Sequence, residues 1–379
     1  MQDSVEIGMG RQARRTYDLA DIAIVPSRRT RSSAEVSTAW QIDAYRFEIP
    51  LVTDSSDAVV SPEVACAVGA QGGLGVLNAE GLWARHADPQ AVIDEIVAVA
   101  QDSDDPDAAT AVLQRAYGAP IDLDLLGGAL ATIKRAGSTV AARVSPQNAA
   151  ELAPRLIAAG VELLVIQGTI VSAEHVLRGG EALNLKSFIA NLDVPVIVGG
   201  ATNYQTTTHL MRTGAVGVIV GTGAGVASTT DEVLGIAVPM ATAIADAAAA
   251  RRDYLDETGG RYVHVIAAGG IATSADIAKA IACGADAVML GEPLAALDAA
   301  PGKGWYWPHS ASHPALPRGL ALPCGLADTP LTELLHGPAR GAEGRTNLFG
   351  ALKRAMAKAG YSDVKEFQKV GLISLSGSA

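Results

Sequence analysis

The chain has 379 residues, 49% of them apolar and only 4% aromatic, and carries a net charge of −11. That balance excludes a surface built to track nucleic-acid phosphates, and no run of about 18 uncharged apolar residues is present to span a membrane. Cys66, Cys283 and Cys324 fit neither a disulfide framework nor a metal-site spacing. The opening MQDSVEIGMGRQARR lacks the apolar core of a signal peptide, so a cytoplasmic protein is expected. The basic clusters Arg11, Arg14, Arg15 and Arg28, Arg29, Arg31 read as solvated or interface faces.

In chain order, eight short apolar runs are predicted as strands. They are Ile49–Thr53, Leu74–Asn78, Thr139–Val144, Glu162–Gln167, Val194–Gly200, Val216–Gly221, His264–Gly270 and Ala287–Glu292. Their hydrophobicity is continuous rather than alternating, which indicates strands buried on both faces and hence a parallel sheet. Between most of them lies a stretch of helical period. The segments IAAGVELLVI (157–166), MRTGAVGVIV (211–220) and IACGADAVML (281–290) repeat one module: a helix end, a Gly cap and a buried strand. Eight such units predict a single-domain (β/α)8 TIM barrel over residues 1–379.

Two stretches stand outside the repeat. Residues 79–138 read as a helical insertion with an acidic loop at Asp102–Asp107. Residues 301–346 are rich in Pro, Gly and Trp and read as an irregular flap-like segment, a lid or a subunit contact. Trp305, Tyr306 and Trp307 suit such a contact. His309 and His313 are four apart, but Pro308 and Pro314 argue against the helix that a metal pair would need. His264 opens a strand and is expected to pack at the barrel bottom.

The segment AAGGIATSADIAKAIACGADAVMLG (267–291) carries the sharpest signal from spacing. Gly269 and Gly270 end a strand, a helix follows, and the next strand ends at Gly291. Glycines let backbone N–H groups approach an anion, and a helix N-terminus adds a favourable dipole. At strands seven and eight of a barrel this is where phosphates bind.

Several segments resemble the IMP dehydrogenase / GMP reductase family. They are LADIAIVPSRRT (19–30), IPLVTDSSDAVVSPEVACAVGAQGGLGVLN (49–78), VGTGAGVASTTDEVLGIAVPMATAI (220–244), VIAAGGI (265–271), AVMLGEPLA (287–295) and NLFGALKRAMAKAGYSDVKEFQK (347–369). The likeness runs from about residue 15 to 372 and is nearest to the actinobacterial "IMP dehydrogenase-related" branch. The interval 79–138 is too short for the pair of CBS domains that full-length members insert there.

The resemblance implies an NAD-dependent oxidation of IMP to XMP in GMP biosynthesis. It also implies a potassium ion held by loop carbonyls, a purine nucleotide as ligand, and a homo-tetramer or octamer. The family's catalytic cysteine falls on Ser228 and its catalytic threonine on Thr230. The potassium loop falls on Gly223, Gly225 and Ser228. Phosphate positions fall on Gly225, Gly269, Gly270, Gly291 and Glu292, with Val226 and Glu292 in place of serines. The ribose aspartate becomes Ala268. The cofactor positions become Gln167 and Gly200. The flap's Arg–Tyr pair has no clear counterpart beyond Arg318 and Arg340.

Three readings follow. The chain is a family member that lacks classical IMP dehydrogenase activity, because Ser228 replaces the thiol and Glu292 enters the phosphate site. Alternatively it is an active IMP dehydrogenase. Alternatively it takes a different, non-phosphate ligand at a rim formed by Asp54, Asp57, Gln167, Asp231 and Glu292.

Overall fold

A computed structural model describes residues 4–103, 105–173, 183–221, 230–312 and 320–375. Eight parallel strands form its centre: β1 (Leu51–Thr53), β2 (Val76–Asn78), β3 (Ala141–Val144), β4 (Leu163–Gln167), β5 (Val196–Ala201), β6 (Gly217–Val220), β7 (His264–Ala268) and β8 (Ala287–Leu290). Each pairs with the next from β2 to β8, and β8 pairs with β1 through Val288↔Leu51, Met289↔Val52 and Leu290↔Thr53. A parallel bridge between Val52 and Leu74 joins β1 to the approach of β2. The sheet thus closes as a (β/α)8 barrel, and all eight predicted runs supply its strands.

Because both faces of a barrel strand are buried, the runs read as continuous hydrophobicity. One face fills the barrel with Val52, Val76, Ala141, Val165, Ile197 and Ile266. The other packs against the surrounding helices. The repeated module owes its glycine to backbone geometry. Gly160, Gly214 and Gly284 follow the helices Ala149–Ala158, Tyr204–Met211 and Ser274–Ala282, and their φ angles are 99°, 101° and 116°. Residues with a Cβ rarely adopt that region.

The hairpin Trp40–Ile42 with Tyr45–Phe47 closes the N-terminal end of the barrel, adding Trp40, Ile42 and Phe47 to its interior cluster. The Trp40 indole donates to the Ile49 carbonyl at 3.0 Å. His264 opens β7 beside it, edge-on to Trp40 with ring centroids 5.9 Å apart. Binding surface is therefore left to the opposite, C-terminal mouth.

Between β2 and β3 lie the helices Pro89–Asp102, Pro106–Tyr117 and Leu123–Arg135. Beyond β8, the flap-like segment contributes Trp305–Tyr306, paired antiparallel with Leu322–Pro323, and a short 3-10 turn at His309–Ser312. No described helix is long and apolar enough to cross a membrane.

Candidate functional site at the barrel mouth

The turn after β1 reads Asp54, Ser55, Ser56, Asp57, and all four residues are buried. Buried carboxylates need partners, and those of Asp54 come from the flap-like segment. Asp54 Oδ2 accepts from the Tyr306 hydroxyl at 2.9 Å, and Oδ1 lies 2.7 Å from His309 Nδ1. Burial pushes the Asp54 carboxyl up, but His309, Tyr306 and Arg143 outweigh it and hold the group below its usual range.

Asp57 is handled differently. Its Oδ2 accepts from the Tyr117 hydroxyl at 2.6 Å and from the Leu82 amide at 3.1 Å. Its Oδ1 is buried with no hydrogen-bond partner among the described residues. Burial dominates here, and the Asp57 carboxyl is pushed up to about 7 despite Tyr117 and Leu82. Tyr117 in turn accepts from the Trp307 indole at 3.1 Å, while the Ser56 hydroxyl donates to the Trp307 carbonyl.

A buried ion pair spans the ends of β2 and β3. Arg143 and Glu80 lie 3.3 Å apart, with side chains only 7% and 9% exposed. Glu80 also accepts from the Ser145 hydroxyl at 2.9 Å, from the Ser145 amide and from the Asn148 side chain. Arg143 donates to the Gln167 carbonyl at 2.7 Å. Beside this network opens a cavity of about 570 Å³, whose walls include Glu80, Arg85, Arg143, Ser145, Thr169 and His309.

The glycine motif lies across the mouth. Gly269 and Gly270 leave β7 with φ of 111° and 65°. The helix after them is capped reciprocally by Thr273 and Asp276. A Cβ on Gly270 would meet only the Met240 side chain at 3.9 Å, so that backbone is accessible. At the end of β8 the space is taken: a Cβ on Gly291 would fall 2.5 Å from the Tyr306 hydroxyl. Glu292 follows, half-buried, its carboxyl raised by burial against the opposing charge of Arg345. Ala268, the last residue of β7, is buried and offers no polar group.

Gln167 ends β4. Its Nε2 lies 3.4 Å from the Met289 sulfur, and its Oε1 is buried with no hydrogen-bond partner among the described residues. Gly200 lies in β5 where a Cβ would run into the Gly221 carbonyl. Thr230 is buried and opens the helix Thr230–Leu234. Gly223, Gly225 and Ser228 lie outside the described residues, as do His313 and Arg318. Arg340 pairs with Glu333 on the surface.

A rim of carboxylates does not form. Asp54 and Asp57 are buried in hydrogen bonds with Tyr306, His309 and Tyr117, and Asp231 faces solvent. Trp307 is fully buried, so it packs onto its own barrel rather than presenting a surface to another subunit. Burial pushes the Cys283 thiol up to about 12 and the Cys324 thiol up to about 11, the latter with help from Glu292. A protonated thiol is a poor nucleophile. Among the described residues no cluster of His, Cys, Asp and Glu could hold a metal ion.

Sequence reasoning missed Glu80, Tyr117 and Arg143. Only Arg143 left a signal, a charge inside the apolar run TVAARV.

Comparison with known proteins agrees with the architecture. The model of the IMP dehydrogenase / GMP reductase domain matches residues 15–311. An uncharacterized oxidoreductase of Mycolicibacterium smegmatis is 63% identical over 371 residues, covering 97% of this chain and 99% of its own. An inosine-5'-monophosphate dehydrogenase of Rhizobium tropici is 34% identical over 248 residues, 60% of this chain and 47% of its own. The crystal structure of an IMP dehydrogenase/GMP reductase-like protein from Corynebacterium glutamicum superposes with a TM-score of 0.93 at 56% identity, covering 98% of both chains. With the barrel, the glycine motif and a match over most of its length, this chain belongs to the IMP dehydrogenase / GMP reductase family of oxidoreductases.

Proposed function

We propose that this protein is a purine-nucleotide-related member of the family that does not convert IMP to XMP. The observation that carries the reading is Tyr306, bonded to Asp54 at 2.9 Å and standing against Gly291 where a nucleotide phosphate would need room. Glu292 adds to it. A carboxylate about 4 Å from a phosphate charge costs roughly 4 kcal/mol at an effective dielectric of 20, on the order of a thousandfold in affinity. Ser228 supports the same reading, because a serine hydroxyl is not ionised near neutral pH and needs an adjacent base.

NAD and potassium enter by family resemblance. Gln167 brings an amide, turned to the Met289 sulfur, where the family places a carboxylate on the cofactor ribose. These residues do not fit that contact, and no step is assigned to the dinucleotide. The positions of the potassium loop lie outside the described residues. Assembly into a tetramer or octamer belongs to the same reading and is checked by light scattering.

Calorimetric titration with IMP, XMP, GMP and NAD, together with an assay for reduced nicotinamide, tests the proposal. Absent turnover and weak or undetectable IMP binding are expected. Micromolar IMP affinity with XMP formation overturns it. The cavity over β2 to β4 favours a second reading, a ligand without phosphate, because its described lining includes no residue of the glycine motif.

A further inference from the structure

We propose that Arg85 is the anchor for an organic monocarboxylate held in the cavity of about 570 Å³ at the barrel mouth. This rests on the second reading above, a ligand without phosphate, and names the group that such a ligand carries. Among the described residues three arginines are not exposed: Arg85, Arg143 and Arg251. Arg143 is paired with Glu80 at 3.3 Å and Arg251 with Asp286 at 2.6 Å. Arg85 meets no carboxylate at ion-pair distance among the described residues. Its Nε donates to the Glu80 main-chain carbonyl at 2.8 Å, and its Nη1 donates to the Ala119 carbonyl. A charge withdrawn from water calls for a counter-charge. Burial pulls the Arg85 guanidinium down from its usual range, against the opposing pull of Glu80, Tyr117 and Asp57.

The two carbonyl bonds fix the guanidinium plane and leave Nη2, which carries two N–H donors. That nitrogen makes no hydrogen bond with the described residues and is not closed off from the surface. Arg85 lines the cavity together with Glu80, Arg143, Ile170 and Leu234. A structural clamp between the Glu80 and Ala119 carbonyls would need only Nε and Nη1. The charges select a monoanion. Of the arginine and glutamate side chains on the wall, Arg143 and Glu80 offset each other and Arg85 is left over. A phosphate dianion would set a second negative charge beside Glu80, whereas one carboxylate matches the surplus and suits a guanidinium. The body of the ligand meets apolar surface, since Ile170 and Leu234 are 47% and 56% exposed. The volume lies within the roughly 300–1,000 Å³ of small-molecule sites.

The full-length chain is titrated by ligand-observed NMR with 4-phenylbutyrate, with the neutral 4-phenylbutyramide and with 4-phenylbutyl phosphate. The carboxylate is expected to bind about tenfold or more tightly than either analogue, and to lose about tenfold or more in Arg85→Gln, whose amide carries no charge. Ile170→Trp, which narrows the cavity, is expected to weaken the carboxylate by a similar factor. No binding of 4-phenylbutyrate to the folded wild type overturns the proposal. So does undiminished affinity in a folded Arg85→Gln or in Ile170→Trp. Where Arg85→Gln fails to fold, the three probes and Ile170→Trp decide the matter. The probes also separate this inference from the reading beneath it. An amide that binds as tightly as the acid removes the Arg85 anchor and leaves a phosphate-free ligand standing, whereas preference for the phosphate removes both.

Discussion

The hydroxyl of Tyr117 donates to Oδ2 of Asp57 at 2.6 Å, and both groups are buried under Trp307. In the fold Asp57 keeps its proton up to about pH 7, whereas in the unfolded chain it loses it near its ordinary value of 3.8. Between those values the folded state binds a proton that the unfolded state does not. Stability therefore falls as pH rises from about 4 to 7 and is level above that. Asp57→Asn removes this dependence. The difference in unfolding free energy between variant and wild type is expected to change by on the order of 2–3 kcal/mol between pH 5 and 8. Urea denaturation at the two pH values measures it, and an identical difference at both sinks the idea.

Gly291→Ala is expected to dislodge the flap-like segment. The new methyl would stand 2.5 Å from the Tyr306 hydroxyl, so the phenol must leave Asp54. Hydrogen exchange at 305–307 and at Leu322 should accelerate, while the barrel strands keep their protection. Unchanged exchange at 305–307 would show that the phenol tolerates the methyl in place.

Arg143→Met leaves the Glu80 carboxylate buried without its cation. Removing one partner of a buried pair costs about 3–5 kcal/mol. Glu80→Gln in the same chain should recover part of that loss, because the amide still meets Ser145 and carries no charge. A double-mutant cycle in denaturant reads the coupling, and strict additivity of the two single effects contradicts it.

Glu292→Ser removes the acid beside the glycine motif. Calorimetric affinity for IMP is expected to rise about tenfold or more, the larger gain at low salt. No gain in a folded variant would mean that Tyr306 alone closes the phosphate end. The pairing Glu292→Ser with Tyr306→Ala then becomes the informative comparison.

The barrel was legible because each strand is apolar on both faces, and a glycine with positive φ punctuates each repeated helix end. The glycine motif was legible for the same reason. The site was less so. Asp54, Asp57 and His309 were each visible as residues, but their pairing joins positions far apart in the chain, and no local periodicity records it. Tyr306 and Trp307 read as contact residues because an aromatic cluster in an irregular segment suits a surface as well as a core. Tyr117 gave no sign, since a tyrosine in an amphipathic helix is ordinary. Arg143 was the exception: an arginine inside a buried strand needs a carboxylate, and Glu80 supplies it.

The contact between Asp54 and His309 spans 255 residues, and this separation has a consequence for synthesis. At about 5–20 residues per second, the acid leaves the ribosome roughly 10 to 50 seconds before the histidine that will cover it. During that interval β1 also lacks β8, so the barrel cannot close and the nascent mouth stays wet. The last quarter of the chain thus acts as a delayed fastener. A premature stop near residue 285, before β8 is made, should release a chain with most of its helices but an open seam beside β1, the form most exposed to proteases and to pairing with another unfinished copy.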